Sequence, residues 1–297
     1  MNYTCRVRHI VSSSSPNGYL DQCSISATFN PPLPDPLFPN LRSLIWQGGT
    51  ATLPAINFAA SLPTSLDICG TRLEDVSLYI SLLDTLVPRC PNIKNIRVQV
   101  SGDSNFGSTV SRHLSCWQKL RVVDLLNTAF PVDVILYLTQ IPTLTWLSFT
   151  LDPHFPYPVP APHTTLVFSR LAYLEIVSES FELATNLLAH IQLPVTQTLI
   201  LPFPNRPSKA AVRSYLATIV KTCASKALID LRLLNLWSFS NDVRLHPRTP
   251  DSDAWLTFYD LASCATFANL RGVHVNLEWP VDLTDGRARA RRCVAAP

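Results

Sequence analysis

Glycine and charged side chains are both scarce in this chain of 297 residues. It has 8 glycines, and the motifs G-x-G-x-x-G, G-x-x-x-x-G-K-[ST], G-x-S-x-G and H-E-x-x-H do not occur in it. A phosphate-cradling loop is therefore disfavoured, and the sequence predicts a protein that is not an enzyme. Charged residues make up 15%, against roughly 25% in an average domain, so a lightly charged surface favours a constitutive partner.

The eight cysteines show no C-x-x-C spacing. We interpret them as reduced, partly buried thiols that pack behind strands. The nearest pair of metal ligands is His113 with Cys116, and it lacks a second pair at zinc spacing. The sequence therefore predicts no metal and no cofactor.

Net charge and hydropathy exclude two further classes of partner. The formal charge is +3, and a small excess spread along the chain does not indicate nucleic acid. The most apolar window, Ala129 to Leu151, is interrupted by polar residues and by Pro142, so no membrane span is predicted. No signal peptide opens the chain, which favours the cytoplasm or the nucleus. The arginines at 287, 289, 291 and 292 form a basic tail that is either solvated or a nuclear-localisation signal.

Nine short stretches share one pattern, with an apolar residue typically at the first, fourth and sixth places. They begin at Leu41, Pro63, Ile93, Leu120, Leu144, Leu171, Thr196, Leu228 and Leu270. Most of the intervals fall in or near the window of about 20 to 29 residues that is typical of leucine-rich repeats, and the last two are long enough to hold insertions. We therefore expect each stretch to form one strand of a stacked solenoid.

Segments with helical spacing lie between these strands, for example Leu73 to Leu86 and Val132 to Thr139. The predicted fold is α/β: a leucine-rich-repeat solenoid, a curved horseshoe with a parallel concave sheet and helices on the convex side. We expect an irregular N-terminal cap over residues 1–40, the solenoid over 41–285 and the basic tail over 286–297. The proline-rich stretch 153–162 and the stretch 237–253 are interpreted as surface loops.

Side chains alternate along a strand, so the third and fifth places of each stretch should face away from the core. The fifth places include Asp67, Arg97 and Asp124 on successive strands, which predicts an alternating ladder of charges. In strand 144–149, Leu147 is expected to be buried and Ser148 to face solvent. The predicted partner-binding residues are Arg97, Asp124, Trp146, Tyr173, Glu175 and Arg232. The alternative is that the ladder only satisfies its own charges while the aromatic rings shield the sheet.

Several strings resemble the degenerate leucine-rich repeats of fungal F-box proteins, in particular those of basidiomycetes. The strings are FPNLRSL, LPTSLDIC, LLDTLVPRCPNIKNIRV, WQKLRVVDL, IPTLTWLSF and FANLRGVHVNL. The resemblance spans about Leu37 to Asp285. It implies a substrate-recognition subunit of an SCF-type ubiquitin ligase, in which an F-box holds a Skp-type adaptor and the repeats select a protein.

The F-box itself is not recognisable in this chain. Leu33 and Pro34 form its only candidate opening, and the first repeat follows almost at once. We expect a Skp-type adaptor to bind only if an F-box is supplied upstream. The alternatives are a free-standing leucine-rich-repeat interaction or inhibitor module, and a shortened gene product that does not bind the adaptor. In each case the expected partner is a protein on the concave face.

Overall fold

The structure is a computed structural model, and its two compact units are residues 1–158 and 159–297. The boundary between them falls inside the proline-rich stretch 153–162. The residues that the structure describes are 7–13, 40–47, 64–70, 80, 83–84, 87–88, 90–100, 110, 112–130, 132–151, 165–203, 208–224, 226–235, 256–276 and 281–282. The proline-rich stretch itself, the stretch 237–253 and the basic tail lie outside these residues.

The first unit contains six parallel strands that pair in chain order. They are β1 (His9–Ser13), β2 (Ser43–Gln47), β3 (Ser65–Gly70), β4 (Asn95–Val100), β5 (Val122–Phe130) and β6 (Trp146–Leu151). Five of them begin at the third place of a predicted stretch, so the predicted strands and their register are confirmed here. Strand β1, within residues 1–40, pairs with β2 in the same register. In β5 the register shifts between Leu125 and Ala129.

The second unit repeats this arrangement with four parallel strands. They are β8 (Tyr173–Val177), β10 (Thr198–Phe203), β11 (Asp230–Asn235) and β13 (Gly272–Asn276). Two pairs of two-residue strands lie beside them: β7 (Leu166–Val167) with β9 (Ile191–Gln192), and β12 (Leu256–Thr257) with β14 (Val281–Asp282). Both units therefore have an α/β fold built on a parallel sheet.

One backbone carbonyl at the entrance to each strand joins successive repeats. The carbonyl of Arg42, at the second place of its stretch, accepts hydrogen bonds from the N–H groups of Thr64 and Ser65, the second and third places of the next stretch. The same pair of bonds, 2.6 to 3.2 Å long, recurs at Arg8, Thr64, Lys94 and Arg121, and in the second unit at Ala172, Gln197 and Ile229. Within each unit, these backbone hydrogen bonds help to position each repeat on its neighbour.

Helices return the chain from one strand to the next. Helix α1 is Val132–Thr139, α2 is Phe181–Ala189 and α3 is Lys209–Thr222, and a 3-10 helix covers Phe258–Thr266. Helix α1 has the predicted bounds, and residues 80, 83–84, 87–88, 110 and 112–114 are also helical. Ser180 and Ser208 cap α2 and α3, since each hydroxyl accepts a hydrogen bond from a backbone N–H of the first turn.

The core of each unit lies between the strands and these helices. The fourth and sixth places are fully buried in most strands, as at Leu147 in β6 and at Leu231 in β11. Trp117 is also fully buried, and its indole N–H donates a 2.9 Å hydrogen bond to the carbonyl of Cys90. Strand β13 is the exception, because Val273 at its fourth place is 38% exposed. The apolar residue at the fourth place is therefore only partly covered at this strand.

Candidate functional site

The third and fifth places of the strands form the face of each sheet opposite the apolar core. We call this the polar face. In the first unit the third places are Ser43, Ser65, Asn95, Val122 and Trp146, and the fifth places are Ile45, Asp67, Arg97, Asp124 and Ser148. Each row runs across five paired strands, so its side chains lie about 4.8 Å from their neighbours.

Three charged side chains of the fifth row form a ladder. The Nε of Arg97 donates a 2.7 Å hydrogen bond to Oδ2 of Asp124, and Nη1 of Arg97 lies 3.6 Å from Oδ2 of Asp67. The predicted Asp67–Arg97–Asp124 ladder is confirmed. Arg97 is its exposed member, with 47% of its side chain accessible, and the two carboxylates on either side are much less exposed.

Asp124 is more deeply buried than its place on the polar face predicts. The residue is 5% exposed, and its second carboxylate oxygen, Oδ1, is buried without a hydrogen-bond partner. A buried carboxylate oxygen that accepts no hydrogen bond costs free energy, because water would have solvated it in the unfolded chain. Asp124 is therefore held by Arg97 on one side only.

Trp146 lies on the same face, one strand beyond Asp124. It stands opposite Val122 in the register and is 36% exposed, which makes it one of the exposed large apolar side chains of the described residues. Ser148, two residues further along β6, was expected to face solvent. That expectation is wrong, because Ser148 is 1% exposed although it lies on the polar face. Larger side chains on this face can bury a small residue, and alternation alone does not reveal this.

The polar face of the second unit carries its own set of polar contacts. The hydroxyl of Tyr173 donates a 2.9 Å hydrogen bond to Oε2 of Glu175. Two strands away, Nε and Nη2 of Arg232 lie 2.8 and 2.6 Å from Oδ2 of Asp230. The hydrogen bond to Asp230 raises the pKa of Arg232, with the nearby carboxylate charge and Tyr173 acting in the same direction. This guanidinium is fixed in its charged form.

Asp230 and His274 were not predicted as site residues, although both lie in the rows that the register defines. Nε2 of His274 is 3.7 Å from Oδ1 of Asp230, and that oxygen is also buried without a hydrogen-bond partner. Gly272 leaves room beside them, since a Cβ there would lie 3.1 Å from Oδ1 of Asp230 and 3.2 Å from Nε2 of His274. The sequence does contain a signal for Asp230: it lies two residues before Arg232 on one strand, so both side chains lie on the same face.

The six predicted residues therefore divide between the units. Arg97 and Asp124 are in contact, with Trp146 on the adjoining strand, and Tyr173 contacts Glu175. Arg232 contacts Asp230, and the electrostatic influence of Tyr173 reaches it. Each unit thus presents an arginine, two carboxylates and one large aromatic side chain on its polar face.

A second group of titratable side chains lies away from the polar face. Nε2 of His113 is 3.0 Å from Oδ1 of Asp84, and Arg112 is 3.6 Å from the same oxygen. Burial lowers the pKa of His113, and the charge of Asp84 opposes this shift. Among the described residues, no group of three or more His, Cys, Asp and Glu side chains is arranged to hold a metal ion.

The sequence has no match among protein-family models and none among curated proteins. Within the part of the chain that the structure describes, every helix is too short or too polar to cross a membrane.

Proposed function

We propose that this chain is a non-catalytic protein-binding module, a leucine-rich-repeat solenoid whose polar sheet face receives the partner. The observation that carries the proposal is the polar face itself. In the first unit the register places Arg97, Asp124 and Trp146 on consecutive strands, and in the second unit it places Tyr173, Glu175 and Arg232 at third and fifth places. Arginine, tryptophan and tyrosine are the residues enriched at the centres of protein interfaces.

A binding role also agrees with the arrangement of the charged side chains on the two polar faces. The arginines of both polar faces pair with carboxylates, Arg97 with Asp124 and Arg232 with Asp230. The horseshoe shape, with this face concave, belongs to the proposal and is supported by the repeat intervals of the sequence. The partner would be met in the cytoplasm or the nucleus.

The resemblance to fungal F-box proteins supports a more specific role as the substrate-recognition part of an SCF-type ubiquitin ligase. A Skp-type adaptor would then bind only through an F-box supplied upstream. A free-standing interaction or inhibitor module is the alternative, and it uses the same face without the adaptor. Co-purification of a Skp-type adaptor with the natural gene product from its own cells would favour the receptor role, and adaptor binding by a fusion carrying an added F-box would not distinguish the two.

Site-specific photo-crosslinking tests the binding face. A photo-reactive phenylalanine derivative replaces Trp146 in one variant and Gln140 in the other, since Gln140 is an exposed residue directly after α1. We expect the variant labelled at position 146 to crosslink to a discrete protein, and the variant labelled at position 140 to give few crosslinks. Mass spectrometry of the adducts identifies and quantifies the crosslinked protein. Equal crosslinking from both positions, or crosslinking from Gln140 alone, would contradict the proposal.

A further inference from the structure

The strand entrances of the first unit form a row that is rich in cations. Each member lies just before a strand, and its backbone N–H donates to the carbonyl of the preceding member at 2.6 to 2.9 Å. In order, the members are Arg8, Arg42, Thr64, Lys94, Arg121 and Thr145. The hydroxyls of the two threonines also donate to the preceding carbonyl. We call the other four residues the basic edge.

The backbone bonds of this row do not explain why its side chains are cationic. Every residue except proline supplies the N–H and C=O groups that they need. The corresponding places of the second unit are Ala172, Gln197, Ile229 and Arg271, which include a single cation. The basic edge is therefore a property of the first unit that alignment of the repeats does not require.

The cations of the basic edge are accessible. Arg8, Arg42 and Arg121 are exposed and Lys94 is half-buried. Among the described residues, none of these four side chains forms an ion pair with a carboxylate. Asp67 and Asp124 lie three residues further along their strands, about 10 Å away, and both pair with Arg97. At that distance salt screens much of their attraction for the edge.

The register also places cations beside each other within the basic edge. Arg8 precedes His9, whose partner is Ser43, so Arg8 lies next to Arg42 on the adjoining strand. By the same step, Lys94 lies next to Arg121. Like charges at neighbouring places of a sheet repel each other. An anionic group that contacts both members of a pair would reduce this repulsion, so it would bind with the help of two cations at once.

We infer that the basic edge binds an acidic segment of a partner protein, which lies along the row in an extended conformation. This inference rests on the proposed protein-binding function and specifies the chemistry of the partner. The row from Arg8 to Arg121 crosses four strand spacings, about 19 Å, which is the length of about six extended residues. A protein segment is favoured over a nucleic acid, because the chain has a formal charge of only +3.

The test uses the full chain and three fluorescein-labelled Gly/Ser peptides that are identical except that they carry four glutamates, four glutamines or four lysines. Fluorescence anisotropy measures their affinities. We expect the glutamate peptide to bind about tenfold or more tightly than the glutamine peptide, and the lysine peptide to bind most weakly. The affinity of the glutamate peptide should fall as sodium chloride is added, because salt screens exposed charges.

The variants localise the binding to the edge. Arg121→Gln should weaken binding of the glutamate peptide about threefold, and Arg121→Lys should keep most of it, because the charge is retained. The matched control is Arg112→Gln, which removes the same charge from an exposed arginine on the helical side of the core of the same unit. It should leave the affinity unchanged. If circular dichroism shows that Arg121→Gln does not fold, Arg42→Gln takes its place with the same expectation.

Equal affinities for the glutamate and glutamine peptides, or equal losses in Arg121→Gln and Arg112→Gln, would overturn the inference. Tighter binding of a thymidine oligonucleotide with the same number of charges would also overturn it, and would identify a nucleic acid as the ligand of the edge. The protein-binding function would survive the first two results if the variant labelled at position 146 still crosslinks to a partner. Loss of the crosslinks as well would remove both proposals.

Discussion

The hydroxyl of Tyr215 is buried without a hydrogen-bond partner. Its ring packs among the core aromatics of the second unit. The centroid of the Tyr215 ring lies 4.9 Å from the ring centroid of Phe181 and 6.4 Å from that of Phe203. Burial raises the pKa of Tyr215 well above its usual value, with Cys223 adding to the shift. The ring stabilises this core, and the hydroxyl group opposes part of that stabilisation.

Removal of this hydroxyl should therefore stabilise the protein. We expect Tyr215→Phe to raise the free energy of unfolding by about 1 kcal/mol, because a buried unsatisfied polar group costs about 1–3 kcal/mol. Urea denaturation monitored by circular dichroism measures the change. Phe181→Leu is the control, since it removes a ring from the same cluster and should destabilise by about 1 kcal/mol or more. A Tyr215→Phe variant that is less stable than the wild type would show that the hydroxyl has a partner in solution.

The cysteines also differ residue by residue. Of the four free cysteines in the described residues, Cys116 is exposed and Cys90, Cys223 and Cys264 are buried. Burial raises the pKa values of Cys223 and Cys264 to about 11. Their thiols stay protonated near neutral pH, so burial limits both their access to reagents and their reactivity.

Alkylation should follow this order. We expect iodoacetamide at pH 8 to modify Cys116 first in the native protein, because only roughly one thiol in a thousand is ionised at Cys223 or Cys264 when the pKa is about 11. Their labelling should remain slower than that of Cys116 as long as the protein stays folded. Mass spectrometry of proteolytic peptides gives the rates. Labelling of Cys223 as fast as that of Cys116 at pH 8 would show that the second unit opens readily.

At the scale of one element, strand β6 is covered on both faces at its second and third residues, although its first residue, Trp146, is exposed. Leu147 is fully buried on the core side, and Ser148 is almost fully buried on the polar side. A charge introduced at either place would lose its hydration. The strand therefore has less tolerance for substitution than simple alternation suggests.

Two matched substitutions test this property of β6. We expect Leu147→Asp to unfold the first unit, and Ser148→Asp to destabilise it by several kcal/mol, since an unpaired buried carboxylate costs at least that much. Thr145→Asp is the control, because Thr145 is exposed just before the strand. Thermal unfolding followed by circular dichroism distinguishes the three variants. A Ser148→Asp protein as stable as the control would place Ser148 in solvent.

Elements whose formation depends on periodic local signals could be predicted from the sequence. The apolar residues at the fourth and sixth places identify the strands and their register, and Pro131 before α1 marks the start of that helix. The two-residue strands such as β7 could not be predicted, because so short a segment contains no period. Helix α2 ends at Ala189, because Ile191 in β9 pairs with Leu166 in β7.

At the scale of the whole molecule, the ladder could be predicted and its burial could not. The order of charges along the fifth row follows from the register, so Asp67, Arg97 and Asp124 were expected to meet. How deeply each one lies depends on the sizes of side chains on neighbouring strands, which are far away in sequence. The unpaired oxygen of Asp124 and the exposure of Val273 in β13 both depend on such distant side chains.

The carbonyl that joins each repeat to the next has a consequence for how such a chain changes over generations. Its bonds use a C=O group and two N–H groups, and every residue except proline supplies all of them. The residue at that place is Arg, Thr, Lys, Ala, Gln or Ile in different repeats. Mutation can therefore replace these side chains repeatedly while the strands keep their alignment, so that neighbouring repeats lose their likeness in sequence and retain it in shape.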